Sequence, residues 1–307
     1  MRKFKVISDR IVGKNGKMFV KNQEVSENDM NETSMNRFLA TKRIQEIKDF
    51  SIPSDRKIRL AVVTSVWGRG EIFRLFCLGV EQLVKKCPDF EISLIVSGSF
   101  QQDNHEEGFV IADSLKHMDD ILKHSDEKPT SVYIEIPNQP LAAKVNATTF
   151  AARKLGVDYV LCMGSDDIVS PELLNYYGTL MRKGVDFIGV TDFYFYDTTS
   201  KRSLYWGGYR EQYRKNHTAG AARALSARLL DCWDWMPWEN KDSHVLDKSM
   251  QDKLRITPHT IEVFSMKEKG LFAVDIKSST NMTPFAKWDN SEFIDNELLK
   301  THFKYIF

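Results

Sequence analysis

Asp158–Leu174 reads "DYVLCMGSDDIVSPELL" and decides how the rest of the chain is understood. Tyr159–Met163 is an apolar, strand-like run that passes straight into Gly164-Ser165-Asp166-Asp167, and Pro171 then opens a helical segment. Two adjacent carboxylates at the end of a hydrophobic strand are electrostatically costly unless a cation or hydrogen-bond donors offset them. Oxygen ligands of this kind suit Mg²⁺ or Mn²⁺ shared with substrate phosphates. The plainer alternative is that Asp166 or Asp167 caps the turn and the Pro171 helix. Position at a sheet's ligand edge favours metal–diphosphate binding by Asp166 and Asp167, with Ser165 in the same loop.

Upstream the pattern supplies that sheet. "IRLAVVTSVW" from Ile58 is nearly continuous in apolar residues, as in a strand buried on both faces of a parallel sheet. "EIFRLFCLGVEQLVKK" follows with helical periodicity, then strand "EISLIVSG", helix "FVIADSLKHMDDILKHS", strand "SVYIEI" and helix "LAAKVNATTFAARKLG". Alternation of this kind predicts right-handed βαβ units in an α/β, doubly wound, mostly parallel sheet flanked by helices. Such sheets bind ligands outside the carboxyl ends of their strands.

Two further strand ends therefore matter. The first strand closes on Thr64-Ser65-Val66-Trp67-Gly68-Arg69-Gly70, where hydroxyls, an aromatic face and glycines suit a loop that holds a planar base. An ordinary βα turn is the competing reading, because the dinucleotide fingerprint is not completed here. Asn138-Gln139-Pro140 opens a helix whose first two turns carry Lys144 and Asn146, a reasonable diphosphate neighbourhood. A solvating Lys144 is the bland alternative.

"NQPLAAKVNATTFAARKLGVDYVLCMGSDDIVSPELL" resembles the nucleotide-sugar half of family-2-type glycosyltransferases with the GT-A fold, over roughly residues 58–285. In those enzymes a helix bearing an Asn precedes a strand ending in Asp-x-Asp. Asn146 matches that Asn, Asp166 the metal-binding Asp and Asp167 the acid after it. Gly164 departs from the pattern by replacing the motif's first Asp. Asp103 is only a distant substitute for the acid expected against the nucleobase after "SLIVSG". The resemblance implies Mn²⁺ or Mg²⁺ as cofactor and a nucleoside-diphosphate sugar as donor. Thr64, Ser65 and Trp67 would border the base, while Lys144, Asn146, Ser165 and Asp166 would line the donor pocket.

The acceptor half begins with a strand "DFIGVTDFYFYD" and continues through Gly207, Gly208 and Gly220 to "GAARALSARLLDCW", read as a helix. Trp206, Trp233, Trp235 and Trp238 follow the resemblance's tryptophan-rich turn; some would stack on sugar or base, at least two would fill core. Asp247 sits where the resemblance puts the general base, with Asp242 and Glu239 as alternatives and an exposed helical Asp as the bland reading. The implied reaction is sugar transfer to a hydroxyl with inversion. The acceptor is left open among glycan, protein, lipid and modified DNA. Two other classes compete: a non-catalytic carbohydrate-binding or virion-associated protein that keeps the shell, and a nucleotidyltransferase, for which "WGRGE" is only a partial match.

Outside residues 57–285 the expectations are modest. Residues 1–34 read as a small β module around an Asn15-Gly16 hairpin turn, similar to modules of tailed-phage proteins, which would imply a phage origin. "MNRFLATKRIQEIKDF", within residues 35–56, has helical spacing through Phe38, Leu39, Ile44, Ile47 and Phe50, and residues 286–307 read as a helical tail.

The chain has 307 residues, 43 Lys+Arg against 42 Asp+Glu, so a broad polyanion-binding field is excluded while a local basic groove is not. No run approaches the roughly 18–20 apolar residues needed to cross a bilayer, and "MRKFKVISDR" lacks a signal peptide's apolar stretch. Cys77, Cys87, Cys162 and Cys232 form no CxxC pair and read as reduced thiols. These features imply a cytoplasmic protein, in a host cell's cytoplasm if phage-encoded, with homo-oligomerisation left open.

Overall fold

The computed structural model describes residues 3–21, 23–41, 44–47, 51–99, 105–122, 131–212, 214, 217–239, 246–257, 259–279, 281, 285 and 291–307. Asp103 and Asp242 therefore lie outside the described residues. The chain divides into two compact units, Met1–Ser51 with Gln251–His259, and Ile52–Met250 with Thr260–Phe307.

The first unit holds β1 (Lys3–Val6), β2 (Arg10–Val12), β3 (Met18–Val20), β4 (Glu24–Ser26), α1 (Glu32–Ala40) and β5 (Ile44–Ile47). β2 and β3 form the expected hairpin, with Ile11 opposite Phe19. Asn15 and Gly16 both take positive φ, 54° and 73°, which is why Asn-Gly serves this turn. The antiparallel sheet β4-β1-β5 shares a core of Phe4, Val6, Ile11, Phe19, Val25, Met30, Met35 and Phe38. The helix expected as far as Phe50 stops at Ala40, where Thr41 closes it by bonding back to the Arg37 carbonyl through its hydroxyl at 2.8 Å. Ile44–Ile47 then pairs with β1. Isoleucine at both ends of that segment favours a strand, and the pairing satisfies a backbone edge that a helix would leave open.

The second unit carries β6 (Ile58–Ser65), α2 (Gly70–Lys86), β7 (Phe90–Gly98), α3 (His105–Leu122), β8 (Ser131–Glu135), α4 (Leu141–Leu155), β9 (Tyr159–Cys162), β10 (Asp167–Val169), α5 (Pro171–Arg182), β11 (Phe187–Val190), β12 (Phe193–Asp197), β13 (Arg202–Trp206), β14 (Arg223–Ser226) and α6 (Ala227–Asp231). After α7 (Leu246–Ile256), which runs from this unit into the first, come β15 (Ile261–Phe264), α8 (Met266–Lys269), β16 (Ala273–Lys277), β17 (Ser291–Ile294) and α9 (Asn296–Lys300). A seven-stranded sheet has the order β15-β11-β14-β9-β6-β7-β8. β9, β6, β7 and β8 run parallel, as do β11 and β15, and β14 is antiparallel to both neighbours. Leu60, Ala61, Val62 and Val63 are buried, as the continuous apolar run predicted.

A second, five-stranded sheet, β10-β16-β12-β13-β17, abuts the carboxyl ends of the first sheet's strands through the loop after β9. The two sheets together account for three departures from the sequence reading. "DFIGVTDFYFYD" is two strands in two sheets, broken at Asp192, whose carboxylate accepts from the Met266 and Lys267 amides and the Ser265 and Tyr205 hydroxyls at 2.6–3.1 Å. "GAARALSARLLDCW" is a strand followed by the short α6, because β14 closes the gap between β9 and β11. The tail begins as β17, which covers the open edge of β13 before Asp295 caps α9.

Candidate active site

The second sheet turns one face toward the carboxyl ends of the first. Side chains alternate along strands, so the register places Asp167 opposite Asp275, Asp275 beside Phe195, and Phe193 opposite Trp206, all on that face. Above them lies a cavity of about 330 Å³, closed on the other side by Ser65, Arg69, Cys162, Gly164 and Ser165.

Three carboxylates meet at its floor. Oxygens of Asp166, Asp167 and Asp275 all lie within 4.8 Å of one another. Asp166 Oδ2 accepts from Arg69 Nη1 and from Asn281 Nδ2, both at 2.6 Å. Asp167 Oδ2 accepts from the Gly164 amide at 2.6 Å, and Asp275 Oδ2 accepts from Lys277 Nζ at 2.5 Å. Burial, then the neighbouring Asp275 and Asp166 charges, pushes the Asp167 carboxyl well above the usual carboxylate range. Burial and the Asp166 charge push Asp275 up to about 7, against the pull of Lys277. Like-charged residues directly opposite one another on two strands destabilise a sheet, so this pair is kept against a folding cost.

The residues present fit a divalent cation. Asp275 Oδ1 is buried and has no hydrogen-bond partner among the described residues, and the donor set is hard carboxylate oxygen, which suits Mg²⁺ or Mn²⁺. Gly164 is part of the fit. A Cβ on it would come within 2.5 Å of Asp166 Oδ1 and 2.7 Å of Asp167 Oδ2, so a side chain there would displace the carboxylates. The carboxylate that the Asp-x-Asp pattern leads one to seek at position 164 arrives from β16 instead.

The structure gathers some of the predicted residues and not others. Ser65, Ser165, Asp166 and Asp167 line the cavity, and Ser165 Oγ is buried without a partner among the described residues. Thr64 is buried behind it, its hydroxyl likewise orphaned. Trp67 stands half-exposed just after β6. Lys144 and Asn146, expected against the donor, do not line the cavity; their polar groups brace its walls from behind. Lys144 Nζ donates to the Val66 carbonyl, Ser99 Oγ and Asn138 Oδ1 at 3.0–3.3 Å. Asn146 exchanges two hydrogen bonds with the Trp238 backbone, at 2.7 and 3.1 Å, and so fixes a tryptophan that does line the cavity. Trp206 also lines it, whereas Trp233 and Trp235 are buried away from it. Asp247 lies in the first turn of α7, and its side chain is outside the described residues.

Three charged residues at the cavity floor have no role in the sequence reading: Arg69, which it places only in the loop after the first strand, Asp275 and Lys277. A signal for the last two was present in "AVDIK", where Asp275 and Lys277 occupy alternate positions of a strand otherwise apolar. Charges on the inward period of a strand mark a site, not a surface.

No protein-family model and no curated protein matches the chain. Solved structures do. TarS from S. aureus matches at 13% identity and a TM-score of 0.50, covering 72% of this chain and 37% of that one. The mannosyltransferase PcManGT from Pyrobaculum calidifontis, solved with GDP-Man and Mn²⁺, matches at 10% identity and a TM-score of 0.50, covering 83% of this chain and 65% of that one. The chain thus spans less than two thirds of either protein. It has the GT-A-type, Rossmann-like fold that its sequence led one to expect. No helix among the described residues is long and apolar enough to cross a membrane.

Proposed function

We propose that this chain is a glycosyltransferase that moves a sugar from a nucleoside-diphosphate sugar to an acceptor hydroxyl with the help of Mn²⁺ or Mg²⁺. The observation that carries this reading is the convergence of Asp166, Asp167 and Asp275 on one cavity, with a buried, orphaned carboxylate oxygen among them. The GDP-Man and Mn²⁺ bound to PcManGT support the same classes of donor and ion here. Asp166, Asp167 and Asp275 would hold the cation. When bound, it supplies positive charge against the departing diphosphate.

The chain's own residues do the rest. Arg69, held on Asp166, and Lys277, held on Asp275, add two fixed cations at the cavity floor, where phosphate oxygens gain most from charge-assisted hydrogen bonds. Trp67 offers an exposed ring for the base, with Thr64 and Ser65 behind it. Trp206 and Trp238 exclude water from one wall. Asp247 takes the proton of the acceptor hydroxyl as the new C–O bond forms at the sugar's anomeric carbon, and attack from the face opposite the leaving diphosphate inverts that carbon. General-base help of this kind is worth about 10²–10⁴ in rate.

Incubation of the full chain with UDP- and GDP-sugars, with and without Mn²⁺, tests the reading by following release of the nucleoside diphosphate. Mn²⁺-stimulated release that Asp166→Ala abolishes supports it; release that is unchanged in that variant removes the metal assignment. Asp247→Asn should lower kcat while leaving the donor Kd in place, and equal loss of both would make Asp247 a binding residue.

A further inference from the structure

The cavity face of the second sheet does not end at Trp206. The same alternation carries Asp197, Arg202, Leu204, Ser291 and Phe293 on that face, in register with one another. They line an open groove of about 580 Å³, and Asn281 lines both this groove and the acid-floored cavity, its amide on Asp166. A further hollow of about 300 Å³ shares Arg202 and Phe293 with the groove. The cavity and the groove form one track, which from β10 to β17 crosses four strand spacings, about 19 Å, and the third hollow adjoins it round the sheet edge, where Ser203 and Ile294 belong to the opposite face.

The track's chemistry is specific. Phe293 is 60% exposed on an edge strand, with the Arg202 guanidinium 3.5 Å from its ring centroid. Such a stacked pair is a flat, rigid platform. Ser291 Oγ is buried and has no hydrogen-bond partner among the described residues, and a ligand hydroxyl is the kind of group that would complete it. Around them Lys201 and Arg202 are balanced by Asp197 and Asp295. A nucleic acid or other polyanion would meet as many carboxylates as cations, and an acyl chain would leave Ser291 and Asp197 facing hydrocarbon. A neutral chain of sugar rings offers flat apolar faces to Phe293 and hydroxyls to Ser291, Asp197 and Arg202.

We propose that this track binds a neutral oligosaccharide, its terminal ring at Asn281 and the following rings laid across Phe293. That the oligosaccharide is an acceptor rests on the glycosyltransferase reading above; its binding does not. Calorimetry and saturation-transfer NMR on the full chain, without nucleotide, test it with maltohexaose, cellohexaose, chitohexaose and mannohexaose, and with the oligonucleotide dT12 as a polyanion. At least one hexasaccharide should bind. Arg202→Ala and Phe293→Ala, both surface changes, should each weaken it about tenfold, as loss of a stacked anchor does, while Phe109→Ala on α3 leaves it unchanged. Absence of binding by all four hexasaccharides overturns the proposal, as does binding that survives both variants or dT12 competing for these residues. A hexasaccharide that binds as described but receives no sugar from any nucleotide donor leaves the track standing and removes the transferase reading instead.

Discussion

Two buried aspartates in this molecule meet opposite fates. Asp186 and Asp167 are 3% and 5% exposed, and each sits where a strand meets a loop. Around Asp186 every neighbour is a donor. Arg228 reaches it through Nε and Nη2 at 2.9 and 2.6 Å, the Ser226 hydroxyl at 2.7 Å, and the Thr260 amide at 2.9 Å. Burial opposes ionisation there, but these donors outweigh it and hold the carboxyl below its ordinary range. Around Asp167 burial and the Asp275 and Asp166 charges outweigh the Gly164 amide and the pull of Lys277, and the shift is upward. The same residue type at the same depth is thus a fully compensated structural joint in one place and a carboxyl whose ionisation is opposed in the other. Burial alone does not separate structure from function; the sign of the surroundings does.

The largest effect expected from this contrast is on turnover. Asp275→Asn should reduce Mn²⁺-dependent nucleotide release by about 10²–10³, the scale of losing one preorganised electrostatic contact, and steady-state kinetics will show it. Its thermal stability at pH 8 should fall less than that of Asp186→Asn, because relief of the repulsion that raises the Asp275 pKa offsets the loss of the ion pair with Lys277. A drop in melting temperature with full activity would make Asp275 a joint like Asp186. The converse change, Asp186→Asn, should cost about 3 kcal/mol in denaturant unfolding, since Arg228 then loses its buried partner.

Gly164→Ala probes the crowding between the two acids directly. The added methyl group meets Asp166 and Asp167, so Mn²⁺ affinity should fall about tenfold, the result of a change near 1.4 kcal/mol. Unchanged affinity would mean that the loop yields without cost. The smallest effect is on acid stability. Because the folded Asp186 carboxyl is held below its unfolded value of about 3.9, its contribution is fully present above pH 4 and is lost as pH falls through the lower folded value. Unfolding titrations should show a shallower decline below pH 4 in Asp186→Asn than in the parent chain.

Legibility in the sequence followed the same physics. The parallel core was readable because Ile58–Ser65 and Tyr159–Cys162 are apolar on both faces, and the acid pair because it interrupts that pattern at Asp166. The second sheet was not readable. Its strands are three to five residues long and, apart from the local β12–β13 hairpin, pair across large sequence separations, as with Asp167 and Asp275, so no local period betrays the partnership. Ile44–Ile47, Arg223–Ser226 and Ser291–Ile294 read as helix in the sequence because short apolar spacings fit both periods, and strand pairing, at an edge for the first and last and between β9 and β11 for the second, decides the outcome. Lys144 and Asn146 stood at the right end of the right helix, but burial turned their polar groups onto the backbone of Val66 and Trp238.

The most direct test of the three-carboxylate centre is a titration of Mn²⁺ into the full chain in the presence of GDP or UDP, followed by electron paramagnetic resonance. A single protein-bound ion is predicted, lost in Asp166→Ala and again in Asp275→Asn. An ion retained by both variants, or none bound by the parent chain, would contradict the account.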